Sequence, residues 1–388
     1  MGVPVAAAAG LITLRARTST VDLAVLSLCA VLAVAAVGSR LAAALAAGSA
    51  ALSFDYFLTH PYGSLLIRGG QGQVAALAVL VFGLALGQLA ASGVGQAGRV
   101  ELLAVVLVAG LSQALPGPGR WAVRRHGIDI ALAVLVSATA AGLPAGAFRA
   151  AGKGAGRLGL ALAATAVTLP ALAWSASRLV AAGALQRGLL ALGVAPAEIG
   201  SVATVGIGGG DAATAGVLLI GSTVVTVALG PAILSALSRG GTLHPLPVLG
   251  NLVLVVAVPM AAGLAARPFT IRPSRAHRAA GSVAFTSLVM LVGLVASEVA
   301  LTWAYLRVAG AVALLLAGST VLGGLLGLRA GRPVATGVLL TTSMRDFAVA
   351  AAVASTAAGP QAAAPLSLYG VLAVVWGVAL ASWRRRKT

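Results

Sequence analysis

Acidic residues, cysteine and aromatic residues are all scarce in this chain of 388 residues, and each scarcity limits what the protein does. The only cysteine, Cys29, can form no internal disulfide and supplies no metal-binding cluster. Aspartate and glutamate number 8 against 26 lysines and arginines, giving a net charge of +18. The basic residues stand in short clusters between apolar segments, as in cytoplasmic loops of membrane proteins. We therefore expect no nucleic-acid partner, no bound metal, no cofactor and no enzymatic activity.

Hydrophobic residues, in contrast, make up 60% of the chain. Most long stretches of the sequence contain an apolar run of about 20 residues, which is the length a helix needs to span the hydrocarbon of a bilayer. The 50 glycines and the low aromatic content of 4% are typical of helices that pack closely through small residues. The predicted fold class is an all-α polytopic membrane protein, in the cell membrane and in contact with its lipid.

The apolar segments divide into two groups, which predict domains at residues 1–97 and 98–388. In the first, a short apolar run at 3–14 precedes stronger segments at 21–37, 41–57 and 73–92. This predicts a bundle of three or four transmembrane helices, depending on whether 3–14 spans the membrane. The second group contains ten segments, at 101–116, 128–147, 156–180, 184–208, 211–238, 248–266, 279–298, 302–328, 333–358 and 364–383.

Basic loops suggest an orientation for these ten segments. A run of Arg384, Arg385, Arg386 and Lys387 follows the last one, and positive residues favour the cytoplasmic side. A cytoplasmic C-terminus also places most other basic loops inside. The loop with Arg120, Arg124 and Arg125 is the exception.

Two of the ten segments carry charges at membrane depth. Pro196 and Glu198 interrupt the fourth, and Arg345 and Asp346 lie at the midpoint of the ninth. Broken or charged helices at corresponding positions of two halves indicate a transporter site. The alternative is structural: Pro196 only kinks its helix, Glu198 snorkels, and Arg345 with Asp346 only fixes packing.

Two stretches resemble known families. The segment SFDYFLTHPYGSLLI resembles the membrane domain of potassium-sensing histidine kinases, although no kinase motif follows it. Residues 98–388 resemble the bile acid:sodium symporter family, through ALAATAVTLPALAWSASRLV, APAEIGSVATVGIGGGDAATAGVLLIGSTVVTVALGPAIL, VAVPMAAGLAAR and TTSMRDFAVAAAVASTAAGPQAAAP. The second resemblance implies ten helices in two inverted five-helix repeats (5+5), with discontinuous helices 4 and 9 that cross. It also implies transport of an organic anion by alternating access.

The chain departs from that family's sodium-coupled members at the positions that hold the cation. Ser201 is kept but Val202 follows it, Thr341 replaces a glutamate, and Arg345-Asp346 replaces Gln-Asn. Thr165 stands where the third helix has glutamine, and two fifth-helix hydroxyl positions correspond to Ala215 and Leu219. Arg345 is therefore predicted to stand in for the cation. The predicted substrate-binding residues are Arg345, Asp346, Glu198, Ser201, Thr341 and Thr165.

Three functions remain open from the sequence. The leading hypothesis is a sodium-independent secondary transporter of small organic anions, with protons as a possible coupling ion and Glu198 as the first candidate to carry them. A cation/proton antiporter would use Glu198 and Asp346 as ion-binding acids. A non-transporting membrane sensor would use the N-terminal module to detect a lipid or solute.

Overall fold

The structure is a computed structural model that describes residues 2–13, 40–58, 116–142, 155–238, 245–266, 273–297 and 303–386, with a few isolated positions elsewhere. Within these ranges the regular elements are helices, as their apolar composition predicts. In chain order they are α1 (Gly2–Gly10), α2 (Arg40–Leu58), α3 (Pro116–Arg124), α4 (Gly127–Gly142), α5 (Ala155–Ser177), α6 (Ala184–Val194), α7 (Ser201–Ile207), α8 (Ala212–Leu237), α9 (Pro245–Leu252), α10 (Val258–Ala266), α11 (Pro273–Ala296), α12 (Trp303–Gly327), α13 (Arg332–Ser343), α14 (Phe347–Ala358) and α15 (Ala364–Arg386). A π-helical turn, Val253–Ala257, joins α9 to α10.

Six helical stretches in the described part of the chain are long and apolar enough to cross a membrane. They are Gly156–Ser177, Ala212–Leu237, Pro245–Ala266, Ala279–Ala296, Arg307–Gly327 and Pro360–Arg386. The prediction of a polytopic helical membrane protein is thereby confirmed. Apart from isolated positions, the segments predicted at 21–37, 73–92 and 101–116 lie outside the described residues.

The N-terminal described helices form their own small core. Helix α1 packs on α2, and the buried face of α2 includes Ala46, Ala50, Phe54 and Leu58. Helix α1 has nine residues and continues as a 3₁₀ turn, Leu11–Thr13. Nine residues rise about 14 Å as an α-helix, roughly half the thickness of bilayer hydrocarbon. The described helix alone is therefore shorter than a transmembrane span, and residue 14 lies outside the described part of the chain.

The remaining helices pack in two neighbourhoods. Helix α4 packs against α10 and α11. In the other neighbourhood α6 packs against α5 and α14, while α13 packs against α12 and α8. Helices α6 and α14 are buried along most of their length. These two short helices each adjoin a break in the helical backbone, and the two breaks form the candidate site.

Candidate functional site

The first break separates α6 from α7 at residues 195–200. Proline has no amide hydrogen to donate, and it disfavours helical geometry in the residue before it. Ala195, which precedes Pro196, is accordingly extended, with φ −63° and ψ 153°. The interruption expected from the sequence at Pro196 is present.

The second break separates α13 from α14 at residues 344–346 and contains no proline. Met344 is extended, with φ −119° and ψ 134°. Asp346, with φ −71° and ψ 103°, is the N-cap residue of α14. Aspartate favours this position because its side chain accepts hydrogen bonds from the first free amides of a helix. The aspartate that starts α14 thus also fixes where the break ends.

The two breaks pair with each other as a minimal antiparallel ladder. Ala197 lies opposite Arg345 in an isolated β-bridge. The amide of Glu198 donates to the carbonyl of Met344 at 3.1 Å, and the amide of Asp346 donates to the carbonyl of Pro196 at 2.9 Å. Non-helical backbone at membrane depth is tolerated only where its polar groups are satisfied by protein or water. Each break supplies the hydrogen-bond partners that the other lacks.

Two hydroxyl groups from neighbouring helices complete this ladder. The amide of Ala197 donates to Ser222 Oγ on α8 at 2.9 Å. The amide of Arg345 donates to Tyr369 Oη on α15 at 2.7 Å. Ser222 follows Ala197 by 25 residues and Tyr369 follows Arg345 by 24. The two halves of the ladder are therefore held in the same way by the next long helix in the chain.

The Arg345 side chain leaves the ladder on the side of α5 and α8. Its Nη2 donates to the carbonyl of Ala195, and its Nε has no hydrogen-bond partner. Only 5% of the residue is exposed. It lines a narrow cleft, here called the arginine cleft, together with Thr165, Pro170, Gly193, Ser222 and Thr226. None of the described carboxylates forms a salt bridge with Arg345, and the acceptor that its guanidinium reaches is the backbone carbonyl of Ala195.

Asp346 is fully buried and faces a different cleft. Its Oδ1 accepts from the amides of Ala348 and Val349, both at 2.9 Å, while Oδ2 has no hydrogen-bond partner. The space it lines, here called the aspartate cleft, lies between α4, α8 and the α9–α10 segment. Its other lining residues include Val136, Thr139, Leu219, Thr223 and Met260. The two adjacent charged residues therefore serve different clefts.

Glu198 also lies at the start of α14. Its Oε2 accepts from the amide of Phe347 at 3.4 Å, and its Oε1 accepts from the amide of Gly200 at 3.4 Å. Glu198 and Asp346 together satisfy the first three amides of α14. The positive end of a helix dipole stabilises negative charge at this place, which helps two carboxyl groups to coexist in the interior.

The other three predicted residues lie in different surroundings. The hydroxyls of Ser201 and Thr341 are buried and have no hydrogen-bond partner. Thr165 Oγ1 donates to the carbonyl of Leu162 at 3.0 Å and lines the arginine cleft. The structure thus brings Thr165 together with Arg345, and Glu198 together with Asp346.

Four contributors were missed by the sequence analysis. They are Ser222 and Tyr369, which bind the ladder, Thr226, which lines the arginine cleft, and Thr139, which lines the aspartate cleft. The near-equal spacing of Ser222 and Tyr369 from the two breaks was an available signal. Among the described residues, no group of three or more His, Cys, Asp or Glu side chains could hold a metal ion.

Comparison with known families agrees with the two sequence resemblances. Residues 129–307 match the model of the Sodium Bile acid symporter family. Residues 1–102 match a domain of unknown function, DUF4118, which is the N-terminal module of sensor kinases. No match to a curated protein was found. Both resemblances are confirmed. The spanning helices define a multi-pass membrane protein, of which residues 129–307 are similar to a transporter family. The matched range ends before α13, so Arg345 and Asp346 lie outside it.

Proposed function

We propose that this protein is a secondary transporter of small organic anions that works by alternating access and does not require sodium. The observation that carries the proposal is the position of Arg345: a buried guanidinium with an unpartnered Nε, in a mostly apolar cleft that also contains three hydroxyl groups. A cation at the centre of a membrane costs roughly 2.5–3.5 kcal/mol on insertion scales, so it is retained where it has a function or a partner.

The proposed architecture is ten helices in two inverted repeats of five, with the fourth and ninth helices broken at their crossing. In this assignment α6 with α7 is the fourth helix and α13 with α14 is the ninth. Two features support it: the reciprocal hydrogen bonds of the ladder, and the equivalent hydroxyl contacts from α8 and α15. The first of the ten proposed helices is the segment predicted at 101–116, which lies outside the described residues apart from isolated positions.

Sodium independence follows from what surrounds the guanidinium. The arginine cleft contains the hydroxyls of Thr165, Ser222 and Thr226, and the Ala195 carbonyl accepts from Arg345 itself. Such oxygens are ligands for a hard cation. A fixed positive charge among them repels a second cation, so Arg345 takes the place of a coupling ion.

An organic anion is the proposed substrate because of the donors that Arg345 retains. A guanidinium has five N–H groups in a planar fork that matches a carboxylate. One of them is committed to Ala195, and Nε is free. Thr165, which lines the same cleft, completes the proposed anion-binding set, whereas Glu198, Asp346, Ser201 and Thr341 do not line this cleft.

Uptake of labelled carboxylates into proteoliposomes tests the proposal. We expect uptake to be unchanged when choline replaces sodium, and to be lost in Arg345→Ala protein that remains folded. Arg187→Ala is the matched control, because Arg187 is an exposed arginine on α6, the helix that leads into the first break. Saturable sodium dependence would refute sodium independence, and full ligand binding by folded Arg345→Ala would refute the role of Arg345.

A cation/proton antiporter is the second candidate, and one observation favours it. Glu198 and Asp346 are both buried, and Asp346 has an unpartnered oxygen in a cleft. Cation-driven proton efflux in the absence of any organic anion would support this function. The match of residues 1–102 to DUF4118 keeps a sensor role for the N-terminal module as a third candidate.

The protein is placed, as part of this proposal, in the cell membrane with its C-terminus in the cytoplasm. Arg384, Arg385 and Arg386 form the last turn of α15, and such residues favour the cytoplasmic side. Labelling of a C-terminal tag in sealed vesicles of known orientation tests the assignment.

A further inference from the structure

We propose that Asp346 is the proton carrier of this transporter, and that its Oδ2 exchanges the proton with water through the aspartate cleft. This inference rests on the proposed function, since it names the coupling ion for anion transport. It assigns the two adjacent charged residues to separate tasks: Arg345 to the anion and Asp346 to the proton.

The two oxygens of Asp346 are unequal, and this inequality allows one of them to hold a proton. Oδ1 accepts from two backbone amides and caps α14. Oδ2 makes no hydrogen bond and faces the aspartate cleft. A proton on Oδ2 therefore leaves the cap of α14 in place. Protonation and release can alternate without unwinding the helix.

Glu198 is less suited to this task. Each of its oxygens accepts from a backbone amide, one from Gly200 and the other from Phe347. A proton on either oxygen competes with one of these amides. A buried amide without an acceptor costs about 1–3 kcal/mol, so protonation of Glu198 disturbs the break, whereas protonation of Asp346 does not.

The lining of the aspartate cleft suits a proton better than a metal cation. Most of it is apolar, including Val136, Leu219 and Met260. Thr139 Oγ1 is buried without a partner, and Thr223 Oγ1 already donates to the Leu219 carbonyl. Hard cations are held by six or more oxygens, and this cleft offers few. A proton needs only the Asp346 lone pair, with the Thr139 hydroxyl available to a water that delivers it.

The charged and titratable groups around Asp346 come from the ladder and from α15. They are Glu198, which shares the start of α14, Arg345, whose side chain lies in the other cleft, and Tyr369, which binds the Arg345 amide. The cleft-lining residues of α4, α8 and the α9–α10 segment include no titratable side chain. Titration in this cleft therefore reports on Asp346.

The position of the cleft links the proton to alternating access. Part of the lining, here called the first wall, belongs to α4 and α10, which pack on each other, and another part, the second wall, belongs to α8 and the ladder. Relative motion of the two walls opens Oδ2 to water on one side of the membrane and then on the other. The proton adds to a carboxylate lone pair from water on one side and leaves to water on the other, with no other bond changed.

The matched control is Asp211, which caps α8 as Asp346 caps α14. Asp211 Oδ1 accepts from Ala213, and its Oδ2 accepts from both the amide and the hydroxyl of Thr214. Both of its oxygens are therefore occupied. Asp346→Asn and Asp211→Asn each keep a capping oxygen, but only the first removes a free carboxylate oxygen.

Transport by the purified full-length protein in proteoliposomes provides the first test. We expect Asp346→Asn to lose pH-gradient-driven accumulation of the anion at least tenfold while retaining anion exchange at zero gradient. Asp211→Asn should retain both. Unchanged pH-driven accumulation in Asp346→Asn, or equal loss of accumulation and exchange, would overturn the inference.

Infrared difference spectroscopy of the protein between acidic and alkaline pH provides a second test that does not depend on a substrate. With ¹³C-labelled aspartate, we expect a carboxylic-acid C=O band that shifts with the label, disappears in Asp346→Asn and persists in Asp211→Asn. Absence of that band overturns the inference even if anion uptake is observed. Conversely, the band without uptake of any carboxylate would refute anion transport while supporting Asp346 as a proton site.

Discussion

The backbone amide of Arg345 donates a hydrogen bond to the phenolic oxygen of Tyr369, 2.7 Å away. This contact ties the ladder to α15, because Arg345 is the central residue of the second break. Both residues are buried, so no bulk water can replace the hydroxyl if it is removed. The strength of the ladder therefore depends on a side chain 24 residues away.

Tyr369→Phe should destabilise the protein although it keeps the aromatic ring. The change leaves the amide of Arg345 buried without an acceptor, which costs about 1–3 kcal/mol. Reversible unfolding in mixed micelles measures the effect. Ser222→Ala, which removes the equivalent acceptor of Ala197, should cost a similar amount. Ser175→Ala is the control, because Ser175 is exposed and donates only within α5; an equal loss there would contradict the prediction.

Replacement of Arg345 should not be rescued by a second change at Asp346. No described carboxylate forms a salt bridge with Arg345, and its side chain lies in a different cleft from that of Asp346. A buried ion pair would give a penalty of about 3–5 kcal/mol for removing one partner, relieved by neutralising the other. We expect Arg345→Ala with Asp346→Asn to be no more stable than Arg345→Ala. A clear gain in unfolding free energy for the double variant would show that the two charges are partners.

Arg345→Lys should weaken binding of a carboxylate substrate while keeping the charge. A lysine ammonium is a point charge and lacks the planar fork of arginine. Loss of one charge-assisted hydrogen bond costs roughly 1.5–3 kcal/mol, or about 10- to 150-fold in the dissociation constant. Isothermal titration of the best substrate found in the uptake screen measures the change. Binding within twofold of the parent protein would show that the fork does not contact substrate.

Gly188→Ala should destabilise the packing of α6 against the start of α15 and the turn before it. A β-carbon at Gly188 would collide with the carbonyl of Ala362 and the side chain of Pro365. Overpacking of this kind costs about 1–3 kcal/mol. Gly250→Ala in α9 is the matched control, because its β-carbon meets nothing within 4 Å; there the helix should gain about 0.5–1 kcal/mol. Thermal unfolding checks the prediction: the midpoint should fall for Gly188→Ala and should not fall for Gly250→Ala.

Asp346→Ala should be less stable than Asp346→Asn. Alanine leaves the amides of Ala348 and Val349 without their acceptor, whereas asparagine still offers an oxygen. Loss of an N-cap costs about 0.5–2 kcal/mol. Both variants lack the charge of Asp346. The difference between their unfolding free energies in mixed micelles therefore measures the contribution of the cap. Equal stability of the two would mean that the cap contributes nothing measurable.

The sequence predicted the helical membrane fold and the two places where charge enters it. Pro196 marked the first break through a local rule, since proline disturbs its own helix. The second break has no proline, and only its charges and a family resemblance indicated it. The pairing of the breaks could not be predicted from local rules, because its two hydrogen bonds join residues 146 and 150 positions apart in the chain.

Local sequence rules also could not predict that the side chains of Arg345 and Asp346 face different clefts. On a continuous helix, adjacent residues differ by about 100° in direction. In the extended backbone of residues 344–346, neighbouring side chains point to opposite faces instead. The sequence analysis placed both residues in one substrate-binding set, whereas the structure places them in two clefts. Ser222 and Thr139 were missed because an isolated hydroxyl in an apolar helix usually bonds to its own backbone.

The extended backbone at 344–346 makes the order of Arg345 and Asp346 in the sequence decide which cleft each side chain faces. Because side chains alternate from face to face in extended backbone, the peptide bond between Arg345 and Asp346 separates a positive compartment from an acidic one. Exchange of these two residues would keep composition, net charge and hydropathy unchanged and yet reverse the polarity of both clefts. The order of these two residues thus determines which cleft is positive and which is acidic, although composition and hydropathy are the same for either order.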